Sequence, residues 1–239
     1  MTKDKAVVLC SGGLNSAVVT SIATKDHQPM AFLHVRFGHR AAQKEAELFE
    51  KQADHFDVRE RLVIDMPHFA AIGGNARVSR KKQIEDALAI GEGGTNCHVP
   101  GLIGGLVSAA FTWAWTIGAR KILLGVSENL GPPAPKTSEL YPDYSQEYLQ
   151  LCNHLCNEGS PGRQISVETP IIDLSRSEIV KLGRRLGTPF QLTWSCLSSC
   201  SEPCGACVGC ATRSRGFLDA AIPDPIVLET SRGAVLSAM

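Results

Sequence analysis

The chain of 239 residues has no surplus of either charge, with 24 Lys plus Arg set against 24 Asp plus Glu. Proteins that hold nucleic acid in bulk carry a basic excess, so that class is disfavoured. A local basic pocket for a small phosphate-bearing ligand is not. Long apolar runs are also lacking. The longest apolar window, Leu102 to Ile117, is broken by Gly104, Gly105, Ser108 and Thr112. No stretch approaches the roughly 20 residues that cross a bilayer. The first apolar run, Ala6–Cys10, is too short for the core of a secretory leader. No internal repeat is visible. These absences lead to the expectation of a cytoplasmic protein with no membrane contact and no nucleic-acid partner. In a reducing compartment, the nine cysteines read as thiols or metal ligands rather than disulfides.

What is present alternates in type. Strand-like runs at Ala6–Cys10, Met30–Phe37, Arg61–Asp65, Lys121–Val126 and Ile165–Thr169 are separated by helix-like runs. That alternation implies an α/β fold with a parallel sheet. Helices are expected at Ser16–Lys25, Ala41–Phe56, Ile103–Ile117 and Ala211–Ala220. A further helix opens at the capping box Ser175-Arg176-Ser177-Glu178 and closes at Gly187 before Pro189. The apolar face of Ile103–Ile117 is broad, which suits a helix buried against the sheet. Ala71–Thr95 and Leu130–Pro142 look irregular, and long irregular stretches tend to be lids or binding loops, or else disordered. Length and composition fit one domain over residues 1–239 with a cysteine-rich appendage at 194–220.

The first strand runs into Ser11-Gly12-Gly13-Leu14-Asn15-Ser16. Paired glycines let the backbone turn tightly and bring N–H groups close to an anion. The following helix adds its positive N-terminal end, and Ser11 and Ser16 add hydroxyls. The Lys-Ser/Thr ending of a Walker loop is missing, so the common NTPase reading does not apply. Taken alone, the stretch is either a pyrophosphate cradle or a tight turn with no ligand.

Near the other end, Cys204, Cys207 and Cys210 are spaced by two residues, with Cys196 and Cys200 upstream. Four thiolates from one short loop can enclose a tetrahedral Zn²⁺ and leave no open position, which makes such a metal structural. An iron–sulfur cluster or a redox thiol array are the rivals. By spacing alone, either Cys196 or Cys200 completes the set. Cys10, Cys97, Cys152 and Cys156 read as small core hydrophobes.

Together, the glycine loop and the cysteine cluster resemble the 7-cyano-7-deazaguanine synthases, queuosine-pathway members of the PP-loop ATP pyrophosphatases. The likeness covers nearly the whole chain. It rests on Ser11–Ser16, on His34–Arg40, on Val99-Pro100-Gly101, on Gly125-Val126-Ser127-Glu128, on Tyr141-Pro142-Asp143, and above all on Thr169–Cys196 running into the cysteines. It implies an adenine nucleotide alpha-hydrolase-like parallel sheet with a C-terminal zinc loop, and it selects Cys196 with Cys204, Cys207 and Cys210 as zinc ligands. It also implies ATP with Mg²⁺ as the cosubstrate. The carboxylate of a small 7-deazaguanine acid is adenylated, ammonia displaces AMP, and a second ATP converts the amide to the nitrile. Ser11, Gly12, Gly13, Asn15 and Ser16 would cradle the pyrophosphate, and Val35 and Phe37 would lie near adenine. Arg176 stands where the family usually has a lysine near the phosphates, and its planar fork also suits phosphate oxygens. With Asn15 and Ser16 it forms the expected catalytic group. Val99, Pro100, Gly101, Glu128, Tyr141 and Asp143 are the substrate candidates, although Glu128 and Asp143 read equally as loop carboxylates. Trp194 reads as core more than as a stacking platform. A homodimer is expected.

The departures fall in the ligand blocks. Asn15 replaces the aspartate of the loop, which removes a charge and should weaken Mg²⁺ binding. Leu102-Ile103 stand where Arg-Asn is typical, and Tyr144-Ser145 where Cys-Arg is typical. A proline-rich insert, Leu130–Glu139, precedes Tyr141. Three readings follow: a divergent nitrile synthase; a relative of queuosine-synthase-like antiviral-defence enzymes that join the deazaguanine to a protein's N-terminal amine, which would make a protein the partner; or a nucleotide binder whose loop has decayed.

Overall fold

The computed structural model describes residues 3–26, 28–91, 94–129, 137–160 and 162–226. Five strands, β1 (Ala6–Leu9), β2 (Met30–Arg36), β3 (Arg61–Asp65), β4 (Lys121–Leu123) and β5 (Ser166–Glu168), form one sheet in the order β3-β2-β1-β4-β5. Every pairing is parallel, with Val7 opposite Ala31 on one side and Ile122 on the other. Parallel neighbours require crossover connections, and the helices supply them. These are α1 (Leu14–Lys25), α2 (Ala42–His55), α3 (His68–Ile72), α4 (Leu102–Ile117), α5 (Thr137–Leu140), α6 (Gln146–Glu158), α7 (Arg176–Leu186) and α8 (Val208–Ala220).

Strand β1 is the middle strand and is apolar throughout, as a strand covered on both faces must be. Its alternate side chains separate the two cores. Ala6, Val8 and Cys10 join Phe32, Phe49, Val18, Ile179 and Phe217, from β2, α2, α1, α7 and α8. Val7 joins Leu33, Ile122, Val107 and Phe111, with α4 and α6 covering that face. Each fully buried aliphatic or aromatic side chain in these layers contributes about 1.5–3 kcal/mol by leaving water.

The order of the strands positions the site. The chain steps outward from β1 to β2 and β3, then returns to the other side of β1 for β4 and β5. The connections from the carboxyl ends of β1 and β4 therefore diverge, and the crevice between them is where open α/β sheets bind ligands.

The structure moves several expected boundaries. Helix α1 starts at Leu14, so Asn15 and Ser16 lie in its first turn. Helix α8 starts at Val208, which puts Cys210 inside it. Strand β4 stops at Leu123 instead of Val126. After the Leu124 N–H meets Glu168 O at 3.0 Å, the chain leaves the ladder and the Gly125 carbonyl turns to Asn15. Among the described residues of Ala71–Thr95, the irregular reading holds apart from the end of α3 and a 3₁₀ turn at Ala87–Ala89. Most of the proline-rich insert, residues 130–136, lies outside the described residues. Helix α6 was not foreseen. No described helix is long and apolar enough to cross a membrane.

Candidate functional site

A cavity of about 270 Å³ opens at the carboxyl ends of β1, β2 and β4. Its floor is the glycine loop. The Cys10 N–H donates to Leu33 O at 2.9 Å, and His34 Nδ1 lies 3.0 Å from Cys10 O, so the loop starts from a fixed point. Ser11 Oγ accepts from the Gly13 N–H at 3.2 Å, and Ser16 Oγ donates to Gly13 O at 3.0 Å. Gly12 has φ +75, and a side chain there would meet the Glu45 carbonyl oxygen at 2.6 Å. Only glycine allows this turn against α2.

Gly13 caps α1 without a side-chain hydrogen bond, and the first turn of α1 carries no acid. A 12-residue helix with uncapped N–H groups and its positive end facing a cavity has the geometry that suits an anion. Two further ties hold it. The Trp194 N–H donates to Gly12 O at 2.9 Å beside a parallel bridge between Gly13 and Trp194. Asn15 Nδ2 donates to Gly125 O at 3.0 Å, while Asn15 Oδ1 accepts from Arg176 Nη1. The asparagine amide thus uses both ends, joining the switch-point strand to α7.

Arg176 reaches this point from the first turn of α7. The capping box is formed as expected, with Glu178 Oε2 accepting from the Ser175 N–H at 2.8 Å. The guanidinium stem packs on Gly216 of α8, where an added Cβ would stand 2.2 Å from Arg176 Cγ. Among the described residues, Arg176 forms no ion pair with a carboxylate, and its Nε is buried without a partner. Burial, and then the neighbouring Arg213 charge, push it down to about 10. It remains a cation at neutral pH, held in place and lacking a counterion among the described residues. Arg213 differs, since Asp224 takes its fork at 2.6 and 2.8 Å and Thr193 Oγ1 accepts from it at 2.8 Å.

The opposite wall was only partly anticipated. Val35, Phe37 and Tyr141 line the cavity, as do Ser11, Gly13, Asn15, Ser16 and Arg176. Phe37 is stacked on His39, centroids 4.0 Å apart, and the Arg77 guanidinium lies over its ring at 4.9 Å. His39 Nε2 lies 2.8 Å from Glu45 Oε2. Burial acts to raise the Glu45 carboxyl, but the His39 charge and hydrogen bond and the Arg77 charge outweigh it and hold it below its ordinary value. Leu102, Ile103, Tyr144 and Trp194 also face the cavity. Trp194 is buried with Lys44 over its ring at 5.6 Å.

Other candidates stand elsewhere. Gly12 supports the loop from behind. Val99 is buried beside Phe37, Val78 and Leu102. Pro100 is exposed, and Gly101 is the N-cap of α4. None of these three lines the cavity. Glu128 Oε1 accepts from the Gln146 N–H at 2.6 Å. Asp143 lies against His98 Nε2 at 3.2 Å and accepts from the Ile103 N–H at 3.4 Å. Their loop-carboxylate reading accounts for these bonds. Arg77 and Glu45 were missed as site residues. Arg77 showed only as the edge of a charged irregular stretch, with no periodicity to aim it.

The cysteine loop closes the third side. The Sγ atoms of Cys196, Cys204, Cys207 and Cys210 lie within 4.8 Å of one another, with Cys204 and Cys210 at 3.9 Å. Zn–S bonds of about 2.3 Å in a tetrahedron place sulfurs about 3.8 Å apart, so the four thiols fit such an ion. N–H groups of Leu197, Ser198, Cys204 and Cys207 point at these sulfurs at 3.3–3.5 Å, which favours thiolates. Cys200 is exposed and outside the group. Cys10 and Cys97 are buried thiols that burial pushes up to about 12 and about 11. Mg²⁺ has no comparable donor set. Glu45, engaged by His39, is the one carboxylate among the described residues lining the cavity, and Asn15 Oδ1 is taken by Arg176.

A family profile described as "Queuosine biosynthesis protein QueC" matches residues 5–221. A 7-cyano-7-deazaguanine synthase of Chlorobium phaeobacteroides is 38% identical over 226 residues, 94% of this chain and 97% of that one. Another, from Koribacter versatilis, is 36% identical over 93% of this chain and 92% of its own length. Among solved structures, NMN synthetase from Francisella tularensis aligns over 93% of this chain and 79% of that one at 14% identity and a TM-score of 0.45, too distant to bear on function. The profile match covers the glycine loop, the Arg176 helix and the four cysteines alike, and on that match and these identities the chain belongs to the queuosine biosynthesis protein QueC family.

Proposed function

We propose that the protein is an ATP-dependent, AMP-forming enzyme that activates the carboxylate of 7-carboxy-7-deazaguanine and transfers the acyl group to ammonia, leading to 7-cyano-7-deazaguanine. The observation that carries this reading is the uncompensated Arg176 cation, held by Asn15 against the open N-terminus of α1 at the switch point of the sheet. A carboxylate is a poor electrophile, and making it an acyl phosphate supplies a leaving group. A carboxylate oxygen attacks the α-phosphorus of ATP and the bond to pyrophosphate breaks. The loop N–H groups, Ser11, Ser16 and Arg176 are suited to take the charge that accumulates on the departing pyrophosphate. Ammonia then attacks the acyl carbon, and AMP leaves with the acyl oxygen bond to phosphorus intact. In the second round the amide oxygen attacks a second α-phosphorus, and loss of AMP and protons leaves the nitrile.

The fit of the four thiols supports Zn²⁺ at Cys196, Cys204, Cys207 and Cys210. Closed by four sulfurs, it would brace the chain beside the loop and supply no reactive position. For Mg²⁺ the described residues offer no free carboxylate in the cavity, so no step is assigned to a protein-held Mg²⁺. Asn15 does not argue for a dead loop, because its amide makes two bonds that an aspartate could not make together: it donates to Gly125 and accepts from Arg176.

The test is exchange of labelled pyrophosphate into ATP. Exchange that depends on 7-carboxy-7-deazaguanine, and is lost in Arg176→Met, is expected. Wild-type protein that catalyses no such exchange would sink the enzymatic reading.

A further inference from the structure

We infer that Arg77 is the residue that receives the carboxylate of the acid substrate. This rests on the reading given under Proposed function and adds to it the group that fixes the acid's orientation.

Two guanidiniums without carboxylate partners face one cavity, from opposite walls. Arg176 belongs to the loop and the end of α1. Arg77 comes from the irregular segment after β3, and its Nε is also buried without a partner. Among the described residues it forms no ion pair with a carboxylate. Glu45 is near enough to interact with its charge but is itself engaged by His39.

The backbone under Arg77 is built, not loose. Asn75 Oδ1 accepts from the Arg77 and Val78 N–H groups at 3.0 and 3.2 Å. The Arg40 N–H donates to Arg77 O at 3.0 Å, and the Ala76 N–H to Asn96 O at 2.8 Å. The Phe37 ring beneath the guanidinium sets its plane. This is a fork held ready for a planar, two-oxygen anion.

Its surroundings separate it from the phosphate end. Val35, Phe37, Leu102, Ile103 and Tyr141 line the cavity with it. An apolar and aromatic wall suits a flat fused ring and suits a triphosphate poorly, and Arg77 on it favours the acid's ring there over the adenine expected beside Val35 and Phe37. The cations expected after Val-Pro-Gly and after Tyr-Pro-Asp are absent, since Leu102-Ile103 and Tyr144-Ser145 stand there. Arg77 restores one positive charge to that wall from a different segment. The reaction also demands that the carboxylate and the α-phosphorus come together. Arg77 and Arg176 line one cavity, with Tyr144 among the side chains that share it.

The full chain as wild type, Arg77→Met and Arg77→Lys would be titrated calorimetrically with three ligands: 7-carboxy-7-deazaguanine, 7-deazaguanine without the carboxylate, and ATP. Loss of a buried charge-assisted pair corresponds to roughly 100-fold weaker binding. Arg77→Met is expected to lose about that factor for the acid, with the neutral ring and ATP within roughly threefold of wild type. Arg77→Lys keeps the charge without the fork and should lose roughly tenfold. Should Arg77→Met fail to fold, shown by loss of ATP binding and of a cooperative melt, Arg77→Lys decides by the same acid-specific loss. Equal acid affinity in the folded variants overturns the assignment, as does an ATP affinity that falls in parallel with the acid's. Wild-type protein that binds no acid sinks the functional reading instead, so the two failures are distinct.

Discussion

Asn15 and Arg176 are 161 positions apart in sequence and share one hydrogen bond. Each departs from what the family usually carries, an aspartate and a lysine, and the two changes make sense together. A carboxylate at position 15 would pair with the buried guanidinium and cancel the charge proposed for phosphate. The amide orients the same group and leaves its charge in place. Asn15→Asp is therefore expected to weaken the binding of pyrophosphate about tenfold when measured without divalent metal, a little over 1 kcal/mol for a near, partly screened pair. Added Mg²⁺ should recover part of the loss. Unchanged pyrophosphate affinity in that variant would show that Arg176 is not the phosphate cation.

At the scale of elements, α7 and α8 matter most. Arg176 lies in the first turn of one, and Gly216 of the other leaves space for its stem. Gly216→Ala would gain about 1 kcal/mol of helix propensity but places a methyl 2.2 Å from Arg176 Cγ. Overpacking of that kind typically costs about 1–3 kcal/mol. The expected outcome is a small fall in Tm with a clear rise in KM for ATP and an unaltered metal content. A variant with unchanged KM would mean that the Arg176 stem can shift freely. Helix α6 shows why one element escaped the sequence reading. Leu149 and half-buried Cys152 and Cys156 face α4, but Leu151 and Leu155 lie exposed, at 68% and 75%. Apolar residues on both faces blur the 3.6-residue period.

For the whole molecule, the cysteine loop and the glycine loop form one unit. The chain leaves the Gly12–Trp194 hydrogen bond and enters the cluster at Cys196 two residues later. Ser195, Leu197, Gly209 and Thr212 then line the cavity. Chelating a metal bound by the four thiols should lower stability and ATP affinity together. Binding energy for such a site is folding energy, and several kcal/mol corresponds to about 10 °C in Tm for a chain of this size. Thermal melts and ATP titrations on chelated protein test this. A metal-free protein with unaltered Tm would separate the cluster from the fold.

The local signals were legible because short-range physics writes them. Short apolar runs between helix-like stretches marked the strands, paired glycines after β1 marked the loop, Ser175 and Glu178 marked the start of α7, and two-residue spacing marked three of the four gathered thiols. Likeness to a known family supplied Cys196, and the structure brings it to the other three. What only the tertiary structure decided lies at long range. It aimed Arg77 from an irregular segment across Phe37, brought Tyr144 and two guanidiniums to one cavity, and moved Glu128 and Asp143 away from the cavity wall into backbone hydrogen bonds. Such placements depend on the order in which five parallel strands stack. That order is set by which buried faces fit together, and no period within any one segment records it.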